Sequence, residues 1–330
     1  AIKHTHIFFL GLIFIIIGVG LLKPSISTLV GSLYKETDIR RDQGFTIFYI
    51  GINIGAFFAS ILVGFIGEVY GWHYGFSLAG IGMIVGQIFF IRGKKYFQSD
   101  LKRRSSLEQK NLTKVQIDRI KLIIIASLIL IIFWAAFEQA GGLLNIYAYE
   151  KTNRFLDFIN FEIPASWFQS INPLMIIIFG YFISLIWLKL EERNFISSSI
   201  LKIAVGIIIM GSGFIFMFFA SVEADTYGKS SMYWLVLAYA LITIGELCAS
   251  PVILSYITKL SPKQKVSSIM GIYFATIGLG NKLAGTIGVY SQQLGEKKVF
   301  LGITLICIIV GVTVIIFHNG LKKLAHGRLN

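Results

Sequence analysis

Apolar residues gather in long uninterrupted runs along this chain instead of alternating with polar ones. Nine windows stand out at about the length a helix needs to cross ~30 Å of hydrocarbon. They cover residues 6–30, 44–67, 72–91, 121–149, 166–190, 200–221, 232–260, 266–292 and 300–318. Each predicts a membrane helix, and the polar stretches between them predict loops. The longest such stretch, between the third and fourth windows, holds many charges and no apolar run, so it reads as a solvated linker.

Composition agrees with that pattern. Of the 330 residues 55% are hydrophobic and only 14% charged, against about 25% charged in soluble domains. The expected class is an all-α polytopic membrane protein. Cys248 and Cys307 fall inside apolar windows and read as small buried hydrophobes, not as a disulfide or metal framework. No metal site and no cofactor is expected. Nothing resembles the zinc-protease or nucleophile-elbow motifs, so a membrane enzyme is disfavoured. The chain starts at Ala1, without an initiator Met or a signal-peptide flank, and reads as truncated.

A net charge of +13 changes the picture through its distribution. If the 92–121 loop faces the cytoplasm and the loops alternate from there, 22 of the 30 Lys and Arg residues are cytoplasmic. Six are outside, and Lys23 and Lys282 lie within windows. The positive-inside rule then sets the N-terminus outside and the C-terminus in the cytoplasm. The basic surplus is an orientation signal, and nucleic acid is not an expected partner.

Polar residues inside the windows are the candidate chemistry, since an isolated charge in a bilayer core costs roughly 2.5–3.5 kcal/mol and persists only facing a partner or a wet cavity. Glu246 is such a carboxylate, four residues before Ser250 and the helix-breaking Pro251. Lys23 precedes Pro24 about twelve residues, ~18 Å, from the cytoplasmic end of its window, too deep to snorkel easily. Ser25, Ser27 and Thr28 are placed to rebond the carbonyl that Pro24 frees. Opposite charges beside two prolines suggest a cavity that grips a zwitterion. Tyr49 and Asn53 share a helix face and are read as lining that cavity, whereas Gly51 and Gly55 are read as packing residues. Glu138 precedes the flexible pair Gly141 and Gly142, with Trp134 one turn earlier on the same face, and Asn172 stands just before Pro173. Lys282 is read as snorkelling or packing.

Five segments carry a resemblance. GLLKPSISTLVG, FYIGINIG, FWAAFEQAGG, SINP and GELCASP occur in that order along the chain. Together they resemble the proton-dependent oligopeptide transporter family of the major facilitator superfamily. The resemblance implies that the nine helices match family helices four to twelve. Residues 1–91 would then be the second half of an incomplete N-terminal bundle, 92–120 a cytoplasmic basic linker, and 121–330 a complete six-helix C-terminal bundle. Topology fits this independently, because the second and third triplets of helices form an inverted pair and the first runs parallel to the third. Lys23 and Glu246 occupy equivalent places in their triplets, as expected of a cleft between bundles.

The resemblance further implies proton-coupled symport of di- and tripeptides across a bacterial cytoplasmic membrane, driven by the proton gradient. Lys23 would attract the peptide carboxylate and Glu246 the amino terminus. Tyr49, Asn53, Asn172 and Ser250 would hydrogen-bond the peptide, Trp134 would line the pocket, and Tyr273, where the family usually has Trp, would reshape it. Glu138 belongs by resemblance to an extracellular gate that, with Glu246 and Lys23, exchanges ion pairs for a proton. Other readings are a non-transporting remnant, one half of a split transporter, or a family member for another small solute. The expected partners are peptides, protons and membrane lipids; the sequence does not set an oligomeric state.

Overall fold

The computed structural model describes residues 5–32, 40–93, 112–193, 198–262 and 265–326. Most of the basic linker, residues 94–111, lies outside them, as do the side chains of Ser25, Ser27 and Thr28. The chain forms two compact units, 1–109 and 110–330.

The first unit is helical in its described residues apart from Gly71. Helix α1 (Thr5–Ser32) is apolar all round from Ile7 to Leu22. None of its residues from His6 to Lys23 is buried against the other described residues, and the run is long and apolar enough to cross a bilayer. Helix α2 (Arg40–Phe58) passes through one π-helical turn, Ala59–Val63, into α3 (Gly64–Tyr70). Gly71, at φ +115°, then reverses the chain into α4 (Trp72–Gly93). That backbone conformation belongs to glycine, since a Cβ would clash there.

The second unit begins where the sequence supplies a cap. Thr113 Oγ1 accepts from the Gln116 backbone N–H at 3.3 Å, and Gln116 Oε1 accepts from the Thr113 N–H at 2.9 Å. This reciprocal box starts α5 (Lys114–Phe137), so the helix takes in the last residues assigned to the linker from sequence. Helix α5 ends in a 3₁₀ turn, Glu138–Ala140, and α6 (Leu143–Lys151) resumes after Gly141 and Gly142. The fourth predicted window is therefore two helices with a break at its Gly pair.

Past α6 the chain makes short strands: β1 (Thr152–Asn153), β2 (Phe155–Leu156) and β3 (Phe161–Glu162). Strands β2 and β3 pair antiparallel, and β1 pairs in parallel with β4 (Ser230–Ser231). Arg154, almost fully buried, holds this cap: it binds Glu162 at 2.8 Å, donates to the Ile163 carbonyl, and lies over the Tyr149 ring. A 3₁₀ segment, Ala165–Ser170, leads into α7 (Ile171–Glu192). Helices α8 (Ser199–Tyr227), α9 (Met232–Leu260), α10 (Val266–Leu294) and α11 (Glu296–Leu324) complete the bundle. The ion pairs Lys151–Glu296 at 2.9 Å and Lys297–Asp225 at 2.6 Å tie α6 and α8 to the start of α11.

Helix α8 is the hub, packed on α9 and α11 around Ile207, Met210, Phe214 and Met217. Its approach to α9 is close at Gly206 and Gly245, where a Cβ built on Gly245 would lie 2.5 Å from the Gly206 carbonyl. Such small-residue contacts are how helices associate where lipid removes the hydrophobic drive.

Two expectations change. Pro24 and Pro251 do not break their helices: α1 runs through Pro24 and α9 through Pro251. A proline removes one N–H, and a helix with partners or back-bonding hydroxyls around it absorbs the loss. Of the nine expected crossings, eight correspond to described helices long and apolar enough to span a bilayer. The other, α10, is a 29-residue helix with a less apolar composition. It buries the stripe Ile269, Tyr273, Thr276, Gly280 and Ala284, at helical spacing, and exposes Asn281 and Lys282. Its packing on α5 makes it a bundle helix whose polar side need not meet lipid.

Candidate functional site

In α9, Tyr239, Thr243, Glu246 and Ser250 follow one another at intervals of four, three and four, which places them along one helix face. Glu246 is only 7% exposed. Opposite it stands Asn172, in the first turn of α7, where the 3₁₀ segment and Pro173 fix the entry of the chain. Asn172 Nδ2 donates to Glu246 Oε2 at 2.7 Å and to Thr243 Oγ1 at 3.1 Å. The Thr243 hydroxyl donates in turn to the Tyr239 carbonyl at 2.7 Å. Two residues singled out from sequence are thus joined, 74 positions apart.

The electrostatic sense of this arrangement is clear. A buried carboxylate is expensive unless hydrogen-bonded or paired. A neutral amide donor such as Asn172 orients one of its oxygens and brings no opposite charge of its own. Ser250, one turn further along α9, is half-buried, and its hydroxyl is enclosed with no hydrogen-bond partner among the described residues. Gly245, beside Glu246, seats this stretch of α9 on α8.

Glu138 opens the 3₁₀ turn between α5 and α6 and lines a cavity of about 510 Å³ with Gln139, Gly142, Asn281, Gly285 and Gln292. Gln139, fully buried, donates to the Ala135 carbonyl at 3.0 Å and to the Ala284 carbonyl at 3.2 Å, tying the turn to α10. From the other side the Tyr239 hydroxyl donates to the Ala140 carbonyl at 2.7 Å. Trp134 and Tyr273 lie on the seam between α5 and α10. Trp134 is half-buried and edge-on to Phe133 and Phe137, and Tyr273 is buried against Phe274.

In the first unit, Lys23 lies well inside α1 with its side chain exposed. Asn53 is buried, and its Nδ2 donates to the carbonyl of Tyr49 at 2.9 Å, one turn back on α2. The shared face of Tyr49 and Asn53 is therefore also a local bond. No cluster of His, Cys, Asp or Glu suited to a metal occurs among the described residues.

Sequence reasoning did not single out Thr243 or Tyr239. The signal was present: both sit at helical intervals before Glu246, and polar groups on the face of an intramembrane carboxylate are candidates for its shell.

Comparison with known proteins agrees with this architecture. The family model described as PTR2, POT family, matches residues 2–115 and 99–300. A peptide transporter of Yersinia enterocolitica, YePEPT, is 32% identical over 94% of this chain and 74% of its own length. A di-/tripeptide transporter of Lactococcus lactis subsp. cremoris is 30% identical over 96% of this chain and 76% of its own. Among solved structures, a peptide transporter POT in complex with sulfate superposes with a TM-score of 0.85 at 27% identity, covering 98% of this chain and 77% of that one. A POT family transporter in complex with 5-aminolevulinic acid gives 0.81 at 27% identity, covering 94% and 75%. With its polytopic helical fold, of major facilitator type, and a family match that takes in both units, this chain is an integral membrane protein and a transporter rather than an enzyme, and it belongs to the POT family.

Proposed function

We propose that the chain serves proton-coupled symport of di- and tripeptides across a bacterial cytoplasmic membrane, N-terminus outside and C-terminus in the cytoplasm. The observation that carries the reading is the buried Glu246 carboxylate with one oxygen oriented by Asn172. Glu246 takes the peptide amino terminus and Lys23 its carboxylate. Asn172, Ser250, Tyr49 and Asn53 supply hydrogen bonds to the backbone, and Trp134 and Tyr273 shape the space for side chains. Glu138, in the turn between two helices, is the gating carboxylate. Protonation there changes which ion pairs form and so biases a bistable pair of bundles. The names of the relatives support peptides as the solute.

A second solute class has its own support. The neighbour solved with 5-aminolevulinic acid holds a small molecule with an amino group at one end and a carboxyl at the other. A site that grips opposite charges accepts such zwitterions by the same chemistry.

The test is uptake of labelled dialanine by proteoliposomes carrying the product of the whole reading frame. Glu246→Gln keeps an acceptor for Asn172 but loses the charge, and the expected result is loss of most uptake with insertion intact. Undiminished uptake by this variant would rule out the amino-terminus role.

A further inference from the structure

Two runs of hydrogen bonds, joined through the covalent frame of Tyr239, link the Glu246 carboxylate to the helix break beside Glu138. The first passes from Glu246 Oε2 to Asn172 Nδ2 at 2.7 Å, and from the same nitrogen to Thr243 Oγ1 at 3.1 Å. Thr243 Oγ1 reaches the Tyr239 carbonyl at 2.7 Å, and the Tyr239 hydroxyl reaches the Ala140 carbonyl at 2.7 Å. Thr243 and Tyr239 are both fully buried, so water does not substitute for either partner. Ala140 is the last residue of the 3₁₀ turn, and Gly142, at φ −102° and ψ −96°, precedes the first residue of α6.

Three physical features make these two runs more than a set of separate bonds. Thr243 accepts through the same oxygen with which it donates, so each bond polarises the other. A threonine hydroxyl bonded to the carbonyl four residues back bends a helix slightly, so its loss re-aims the turn that carries Tyr239. The element at the far end is free to respond: carbonyls at a helix end lack their usual partners, two glycines follow, and the 510 Å³ cavity borders the break.

We propose that Thr243 and Tyr239 are positioning residues that couple the Glu246–Asn172 pair to the α5–α6 break. A group that takes Glu246 Oε2 competes with Asn172 for it and redirects the amide. Thr243 then loses its donor, the Thr243–Tyr239 turn relaxes, and the Tyr239 latch on Ala140 weakens, loosening the turn that carries Glu138. The coupling is a property of the bundle whatever the solute; its meaning as a sensor of a peptide amino group rests on the function proposed above.

The experiment needs neither solute nor proton gradient, so its outcome is separate from that of the transport assay. Amide hydrogen exchange is measured in nanodiscs for the intact chain and for Tyr239→Phe, Thr243→Val, the double variant and Thr243→Ser. The amides of Gly142 to Tyr147 are compared with those of α8. Tyr239→Phe should speed exchange at the break about tenfold, the worth of one buried hydrogen bond. Thr243→Val should speed the same amides several-fold from a full turn further along α9. Thr243→Ser, which keeps the hydroxyl, should match the wild type, and the double variant should match Tyr239→Phe alone. Unchanged exchange at the break in Thr243→Val, or single effects that multiply in the double variant, would overturn the coupling. If Tyr239→Phe also loosens α8, the contrast between Thr243→Val and Thr243→Ser decides alone, because both keep the tyrosine.

Discussion

The carboxamide of Asn172 meets the carboxylate of Glu246 at 2.7 Å, across the contact between the first turn of α7 and the middle of α9. A hydrogen bond to a buried charged group contributes about 1.5–3 kcal/mol. Asn172→Ala should therefore lower the stability of the bundle by that order, measured as a reduced denaturation midpoint in detergent. Asn172→Gln carries the same amide one methylene further out and should recover only part of it. An unshifted midpoint in Asn172→Ala would mean that Glu246 is held by other groups.

The seat of this carboxylate on α8 is tested next door. A Cβ at Gly245 would meet backbone and the Met210 side chain at 2.5–2.7 Å, with no flexible tip to move aside. Gly245→Ala should cost about 1–3 kcal/mol through overpacking and should displace Glu246 relative to Asn172. Differential scanning calorimetry of the purified variant checks the stability, and a midpoint equal to wild type would show that α8 and α9 have room to part.

The cap over the bundle offers a contrast between two members of one ion pair. Arg154 is buried and also donates to the Ile163 carbonyl and covers Tyr149, whereas the Glu162 side chain is 57% exposed. Exposed partners contribute about 0–1 kcal/mol. Arg154→Ala should open the segment from Thr152 to Ile163 to chymotrypsin at Phe155 and Phe158 much faster than Glu162→Ala does. Equal cleavage rates would assign the cap's order to the ion pair alone.

Helix existence was legible because apolar runs of the right length announce themselves, and eight of the nine windows correspond to helices that qualify as spans. What the sequence misdirected was local. Pro24 and Pro251 looked like breaks because proline removes a donor, yet in both cases the helix continues. The real interruption lies at Glu138 to Gly142, where two glycines weaken the helix and side chains from α9 and from the turn itself satisfy its carbonyls. Gln139 bonds locally, to the carbonyl four residues back, but Tyr239 is brought in by tertiary packing that no local pattern encodes. Glu246 could be named from its chemistry and Asn172 from the family resemblance, but their contact depends on how α7 crosses α9. Lys23, Tyr49 and Asn53 were named in the same way, and among them the structure adds the bond from Asn53 to the Tyr49 carbonyl.

The central claim is that the protein grips a peptide by its two charged ends, Lys23 holding the carboxylate and Glu246 the amino terminus. Competition against labelled dialanine uptake, in proteoliposomes carrying the product of the whole reading frame, tests it most directly. The competitors are dialanine, its C-terminal amide and its N-acetyl derivative, assayed on wild type and on Lys23→Arg, which keeps the charge but replaces a compact ammonium with a planar fork. The account predicts that each blocked peptide competes at least tenfold more weakly than dialanine, a loss of about 1.4 kcal/mol or more. It also predicts that Lys23→Arg is impaired but active, whereas Lys23→Ala is inactive. Equal competition by the free and amidated peptides would contradict the account and leave Lys23 with a role in proton coupling or packing instead.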